Sequence, residues 1–178
     1  MIKSIQKAAL IGATLLSATA MAADYPDKPI EVIVGFSAGG GTDVMARTVA
    51  PFLEKSLGKG ATVVIKNMPG ASGQIGITQT AKAKPDGYTL GTYNLPGMMA
   101  RTLYRTADYN ANSFTYLANV VNDPNVIETT KKSGLATLGK LRSIAKSNPT
   151  EVTEAMSTLD DDDHIALGKL QNLTGTKY

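Results

Sequence analysis

Three groups of residues in this chain could do chemistry. The first is Gly35-Phe36-Ser37-Ala38-Gly39-Gly40-Gly41-Thr42-Asp43, directly after the apolar run Ile30-Glu31-Val32-Ile33-Val34. A strand that enters a glycine turn and then a helix aims backbone N–H groups and a positive helix end at one point. That is an anion cradle in outline. The second group, Pro69-Gly70-Ala71-Ser72-Gly73, has the same character after another β-branched run. The third is the acidic run Asp160-Asp161-Asp162-Asp163 followed by His164, the single histidine.

Each has rivals. Residues 35–42 approach the P-loop pattern G-x-x-x-x-G-K-[ST], but Gly41 stands where the lysine is required, which removes the charge that would hold a nucleotide phosphate. The dinucleotide pattern G-x-G-x-x-G is missing as well. A glycine turn used only to pack helix on strand is the plain alternative for one such loop. Two on one rim, each opening a helix, favour a backbone-lined anion site. For the acidic run, helix capping competes with metal binding, because carboxylates at a helix start complement its dipole. No metal site is assigned. A secreted hydrolase built on Ser37 or Ser72 with His164 is set aside for want of a nucleophile elbow.

The elements that must position these groups follow from periodicity. Strands are predicted at 30–34, 61–66 and 88–94. A helix is predicted from Thr42 as N-cap to Leu57, with Met45, Val49, Phe52, Leu53 and Leu57 on its apolar face, a bend or break at Pro51 and a stop at Gly58. A second helix is predicted over 74–84 and a turn at Pro85-Asp86-Gly87. Leu95-Pro96-Gly97 reads as the opening of a loop. Strands are read at 114–121, 126–130 and 152–158, and helices at 138–145 and 165–173. Alternating strand, glycine loop and helix define an α/β fold with a parallel sheet, whose ligands bind beyond the carboxyl ends of the strands.

The ends and composition bound the class. Lys3 and Lys7, the uncharged apolar run 8–18 and Ala20-Met21-Ala22 form a secretory signal peptide over 1–22, cleaved near Ala22. That run is shorter than the ~18 residues of a membrane span. Cleavage leaves about 156 residues, with 16 basic against 15 acidic side chains, so the overall positive charge is not a nucleic-acid footprint. Without cysteine there are no disulfides or thiolate metal sites.

Tyr25-Pro26-Asp27-Lys28-Pro29-Ile30 with the stretch from Val34 to Arg47, then residues 67–76 and 84–90 in order, resemble Bug-type receptors. These are the extracytoplasmic solute-binding proteins of tripartite tricarboxylate transporters. Residues 122–126, 163–165 and 174–176 are similar to later family stretches. The resemblance implies a periplasmic-binding-protein (Venus flytrap) fold, no enzymatic activity and no cofactor. It also implies a monomer that binds a small carboxylate or related solute, including neutral pyridine-type compounds, and delivers it to membrane permease subunits. Carried over, the ligand-binding positions are Phe36, Ser37, Ala38, Gly39, Asp43, Gly70, Ala71, Gly73 and Thr158. The implied division is lobe 1 over 23–122 and a crossover with the start of lobe 2 over 123–178. Such receptors run to about twice this length, so the chain is expected to be an N-terminal portion; a frameshifted fragment without binding activity is the alternative. Ser157-Thr158-Leu159-Asp160-Asp161 stands where the family often has small residues, which predicts altered selectivity toward anions.

Overall fold

A computed structural model describes residues 25–58, 60–149, 151–156 and 161–177. The signal-peptide expectation and Thr158 lie outside these residues. Three strands form one parallel sheet in the order β2-β1-β3: β1 (Ile30–Val34), β2 (Val63–Asn67) and β3 (Thr89–Gly91). Ile30 pairs with Val63 through to Val34 with Asn67, and Glu31 to Ile33 pair with Thr89 to Gly91. β1 is central and apolar because neighbours cover both its edges; Ile30, Ile33 and Val34 are fully buried.

Helix α1 (Gly41–Leu57) packs on β1 and β2, and α2 (Gln74–Ala81) packs on β1 and β3. The chain steps from β1 outward to β2, then back across β1 to β3. Right-handed crossovers put α1 and α2 on opposite faces of such a sheet and reverse the strand order at β1. All three strands therefore end on one rim.

Several expectations are corrected. The N-cap of α1 is Gly40, not Thr42, and no side chain caps it. The helix runs unbroken through Pro51, which is exposed, so water can reach the carbonyl that the missing N–H leaves unpaired. Its buried stripe is Asp43, Ala46 and Ala50, while Phe52 faces out at 69% exposure. Small side chains let the helix approach the sheet closely. Gly58 does end it, at φ 66°, and donates to the carbonyl of Glu54 at 3.0 Å. The second helix ends at Ala81, and β3 is shorter than expected.

Leu95-Pro96-Gly97, read as the opening of a loop, leads instead into helix α3 (Gly97–Tyr104). Residues 114–121, 126–130 and 152–156 form no strand; most of this backbone is exposed and unladdered. Helix α4 (Leu138–Ser147) is capped by Thr137, whose hydroxyl accepts from the Lys140 N–H at 3.2 Å. It buries Leu141 and Ala145 and leaves Leu138 exposed. Helix α5 (Asp162–Thr174) ends at Gly175 in the left-handed region.

Below the sheet, residues 25–28 clasp the turn before β3. The Tyr25 hydroxyl donates to the Gly87 carbonyl at 2.8 Å, and the Tyr88 hydroxyl donates to Asp27 at 2.5 Å. Lys28 lies 4.1 Å above the Tyr88 ring and 3.5 Å from Asp86. At the other end of β3, Tyr93, Tyr109, Phe114 and Tyr116 gather with ring centroids 5.3–6.4 Å apart.

Candidate functional site: a glycine rim at the carboxyl end of the sheet

The rim is built from two loops that touch. A Cβ on Gly35 would lie 2.9 Å from the Gly73 carbonyl oxygen, and one on Gly76 would lie 2.8 Å from the Gly35 Cα. Only glycine permits this approach. The second loop turns through four successive positive φ angles, at Gly70, Ala71, Ser72 and Gly73. Residues 71–73 form one 3₁₀ turn that leads into α2, whose N-cap is Gly73. The Phe36 ring and the Met98 methyl both press on Gly73.

Three helical starts meet here, with Gly40, Gly70 and Gly73 as caps, and no side chain caps any of them. Side-chain caps normally satisfy the first-turn N–H groups. At α1 that leaves first-turn N–H groups for an external anion, whereas at α2 the Gly73 and Ile75 N–H groups donate to the Gly70 carbonyl and the Gln74 N–H to the Ala71 carbonyl, so the second helix start contributes its positive end to the rim.

The expected ligand residues divide by role. Ser37, Ala38 and Gly39 are exposed on the first loop, and Phe36 is half-buried at its base. Gly70 and Ala71 are exposed on the second loop, and Gly73 is buried. The structure brings these seven together. Asp43 is placed differently. Its side chain is 3% exposed and turns inward. It accepts from the Gly39 N–H at 2.8 Å, from Asn67 Nδ2 at 2.9 Å and from Arg47 Nε at 3.0 Å. The Arg47 guanidinium, then the Gly39 amide and Asn67, hold this carboxyl down at about 2. Asn67 also donates to the Phe36 carbonyl at 3.1 Å and accepts from Arg47 Nη2 at 3.1 Å. Asp43 therefore shapes the first loop from beneath.

Two participants escape sequence reasoning. Asn67 is legible only once β2 is paired in register with β1. Arg101, on α3, is 3% exposed; its Nη1 donates to the Ser72 carbonyl and its Nη2 lies 3.0 Å from Asp161 Oδ2. A lone cation in the apolar run Met98-Met99-Ala100-Arg101-Thr102-Leu103 was the available signal.

Asp161 is the N-cap of α5, accepting from the Asp162 N–H at 3.0 Å, so capping explains this part of the acidic run. Among the described residues no group of three carboxylate or histidine side chains is set to hold a metal ion. His164 lines a groove of about 560 Å³ between α3 and α5 with Tyr104, Ile165 and Lys169. Neither Ser37 nor Ser72 borders that groove. Residues 35–39 do spell G-x-S-x-G around Ser37, a match missing from the sequence expectation. They form no elbow. Ser37 is not among the positive-φ residues, and α1 starts four positions later, at Gly41. A second groove, of about 410 Å³, runs along α2 beside Gln74, Thr78 and Lys82. Residues 37–41 are exposed, so the first loop is an open face.

Solved structures of the periplasmic-binding-protein class superpose on this parallel α/β unit with glycine loops at its strand ends, and they define its fold class. MatC from Rhodopseudomonas palustris with bound malate matches with TM-score 0.71 at 27% identity, covering 86% of this chain and 52% of that one. R. palustris Rpa4515 with adipate matches with TM-score 0.70 at 31% identity and the same two coverages. Protein BugT of Bordetella pertussis is 38% identical over 163 residues, covering 90% of this chain and 49% of BugT. Residues 45–178 match the model of the tripartite tricarboxylate transporter family receptor. The chain belongs to that receptor family. It spans about half the length of the curated relatives it matches.

Proposed function

We propose that this chain supplies the solute-capturing rim of a periplasmic receptor for a tripartite tricarboxylate transporter, taking a small carboxylate or related solute and carrying out no reaction. The observation that carries this is the meeting of glycine-capped helix starts, without side-chain caps, at one rim. Backbone amides at Phe36, Ser37 and Ala38, and at Gly70 and Ala71, are the donors offered to a ligand carboxylate; the Gly39 amide is held by Asp43 and the Gly73 amide by the Gly70 carbonyl, so these two glycines shape the loops around the ligand, and Thr158 is kept as a further contact. Malate and adipate in the two solved relatives support an organic acid as the solute class. Export follows cleavage near Ala22. Residues 23–122 belong to lobe 1, and the crossover begins near 123. The partners are the membrane permease subunits.

Receptors of this class hold ligand by closing two lobes, so that the second set of contacts exists only in the closed state. A second reading, that this chain alone captures no ligand, is favoured by the openness of the first loop. One panel separates the two: malate, adipate, citrate, acidic amino acids and nicotinate, titrated against ¹⁵N-labelled chain. Capture predicts shifts at the amides of 36–39 and 70–73 with weak, fast-exchange binding. Unmoved rim amides across the whole panel overturn it. Sub-micromolar affinity by calorimetry would overturn the second reading.

A further inference from the structure

Arg101 joins two places that the rest of the rim does not explain. Nη1 is committed to the Ser72 carbonyl inside the second glycine loop. Nη2 is buried and, although 3.0 Å from Asp161 Oδ2, makes no directed hydrogen bond. The Asp161 carboxylate lies in a confined place. Its Oδ1 fills the space that a side chain on Gly97, the first residue of α3, would need. The same oxygen accepts from the Asp162 N–H at the start of α5. A guanidinium, the positive end of α3 and the positive end of α5 thus surround one carboxylate, beside a loop that offers backbone amides. Those are the parts of an anion site.

We propose that Asp161 is an internal anion: its carboxylate fills a carboxylate site built from Arg101 and the glycine start of α3, and a small organic acid reaches Arg101 only when Asp161 gives way. This rests on the receptor reading and names its selectivity determinant. The contact suits displacement. It is a single, poorly aligned approach rather than a bidentate pair, so little geometry is lost when it opens. Exchange of one carboxylate for another also keeps the guanidinium paired, which avoids the large penalty of a buried unpaired charge. Asp161 lies against Arg101, so its charge competes directly with an incoming anion, and Asp162 and Asp163, which follow, add to the repulsion.

The test uses the full chain and sodium acetate as probe, followed by NMR of the Arg101 guanidinium. Asp161→Asn keeps the shape and Asp161→Ser keeps a capping oxygen. Both are expected to bind acetate at Arg101 at least roughly tenfold more tightly than the unaltered chain. Adding Arg101→Met to Asp161→Ser abolishes the gain. Equal acetate affinity with and without the Asp161 charge overturns the proposal. So does loss of folding in both single variants, which makes Asp161 a structural counter-ion. Parallel adipate and malate titrations keep the two readings apart. Acetate gained at Arg101 without any dicarboxylate shift at the rim amides sinks the receptor reading alone. Dicarboxylate binding that ignores position 161 sinks this proposal alone.

Discussion

Asp43 shows how a conspicuous residue can matter without touching a ligand. Its carboxylate collects an amide from the loop above, an amide side chain from the next strand and a guanidinium one helical turn on. The group is anionic in the fold down to about 2, against 3.8 for a free side chain. Its contribution is therefore present above about pH 4 and disappears as pH falls through 2. Asp43→Asn is expected to lower the melting temperature by several degrees at pH 7 and to converge on the parent near pH 2, read by circular dichroism. Asp162 runs the other way. The hydrogen bond with Asp161, helped by burial, raises its carboxyl to about 6. Its stabilising, protonated form is complete below about 3.8 and is lost as pH rises through 6. Melting temperature should fall between pH 4 and pH 7, and Asp162→Asn should flatten that slope. The glycine loops were legible as letters; the network under them was not, because Asn67 and Arg47 join Asp43 only through the β1–β2 register.

At the scale of elements, local pattern succeeded for the paired strands and the two helices packed on them. The β-branched runs at 30–34 and 63–67 became paired strands, and the Gly58 and Gly175 stops held. Equally apolar runs at 114–121 and 126–130 formed no ladder, since strand propensity is expressed only against an available edge. Leu117, Val126 and neighbouring apolar side chains stand exposed there. Helix α3 was missed because Pro96-Gly97 reads as a turn, yet Pro suits a helix start. Packing between elements gives a graded prediction. Gly76→Ala drives a methyl into the Gly35 backbone, which cannot rotate away, and should cost up to roughly 3 kcal/mol in urea unfolding. Gly39→Ala meets open space and suffers only its φ of 82°, about 1 kcal/mol. The two together separate the tight contact between the loops from the shape of one loop.

Across the whole molecule, the sheet is fastened at one end and carries the exposed glycine loops at the other. The clasp of Tyr25, Asp27 and Lys28 on Asp86, Gly87 and Tyr88 unites two stretches that the sequence showed only as separate motifs. Tyr88→Phe removes both bonds to Asp27, one donated to its carboxylate and one accepted from its N–H, and leaves the ring, so it should lower the melting temperature and leave rim amide shifts unchanged. The aromatic group beyond β3 has an optical consequence. The chain has seven tyrosines and no tryptophan, so its ultraviolet emission comes from phenols alone. Tyr93, Tyr109 and Tyr116 belong to one cluster close enough to pass excitation among themselves, which depolarises that emission while the cluster is intact. Burial, then Tyr116 and Tyr109, push the Tyr93 phenol up to about 12, so it ionises after the ordinary phenols in an alkaline absorbance titration. Polarisation and phenolate absorbance therefore give two label-free reporters of whether the strand end beside the rim stays assembled when solutes are added.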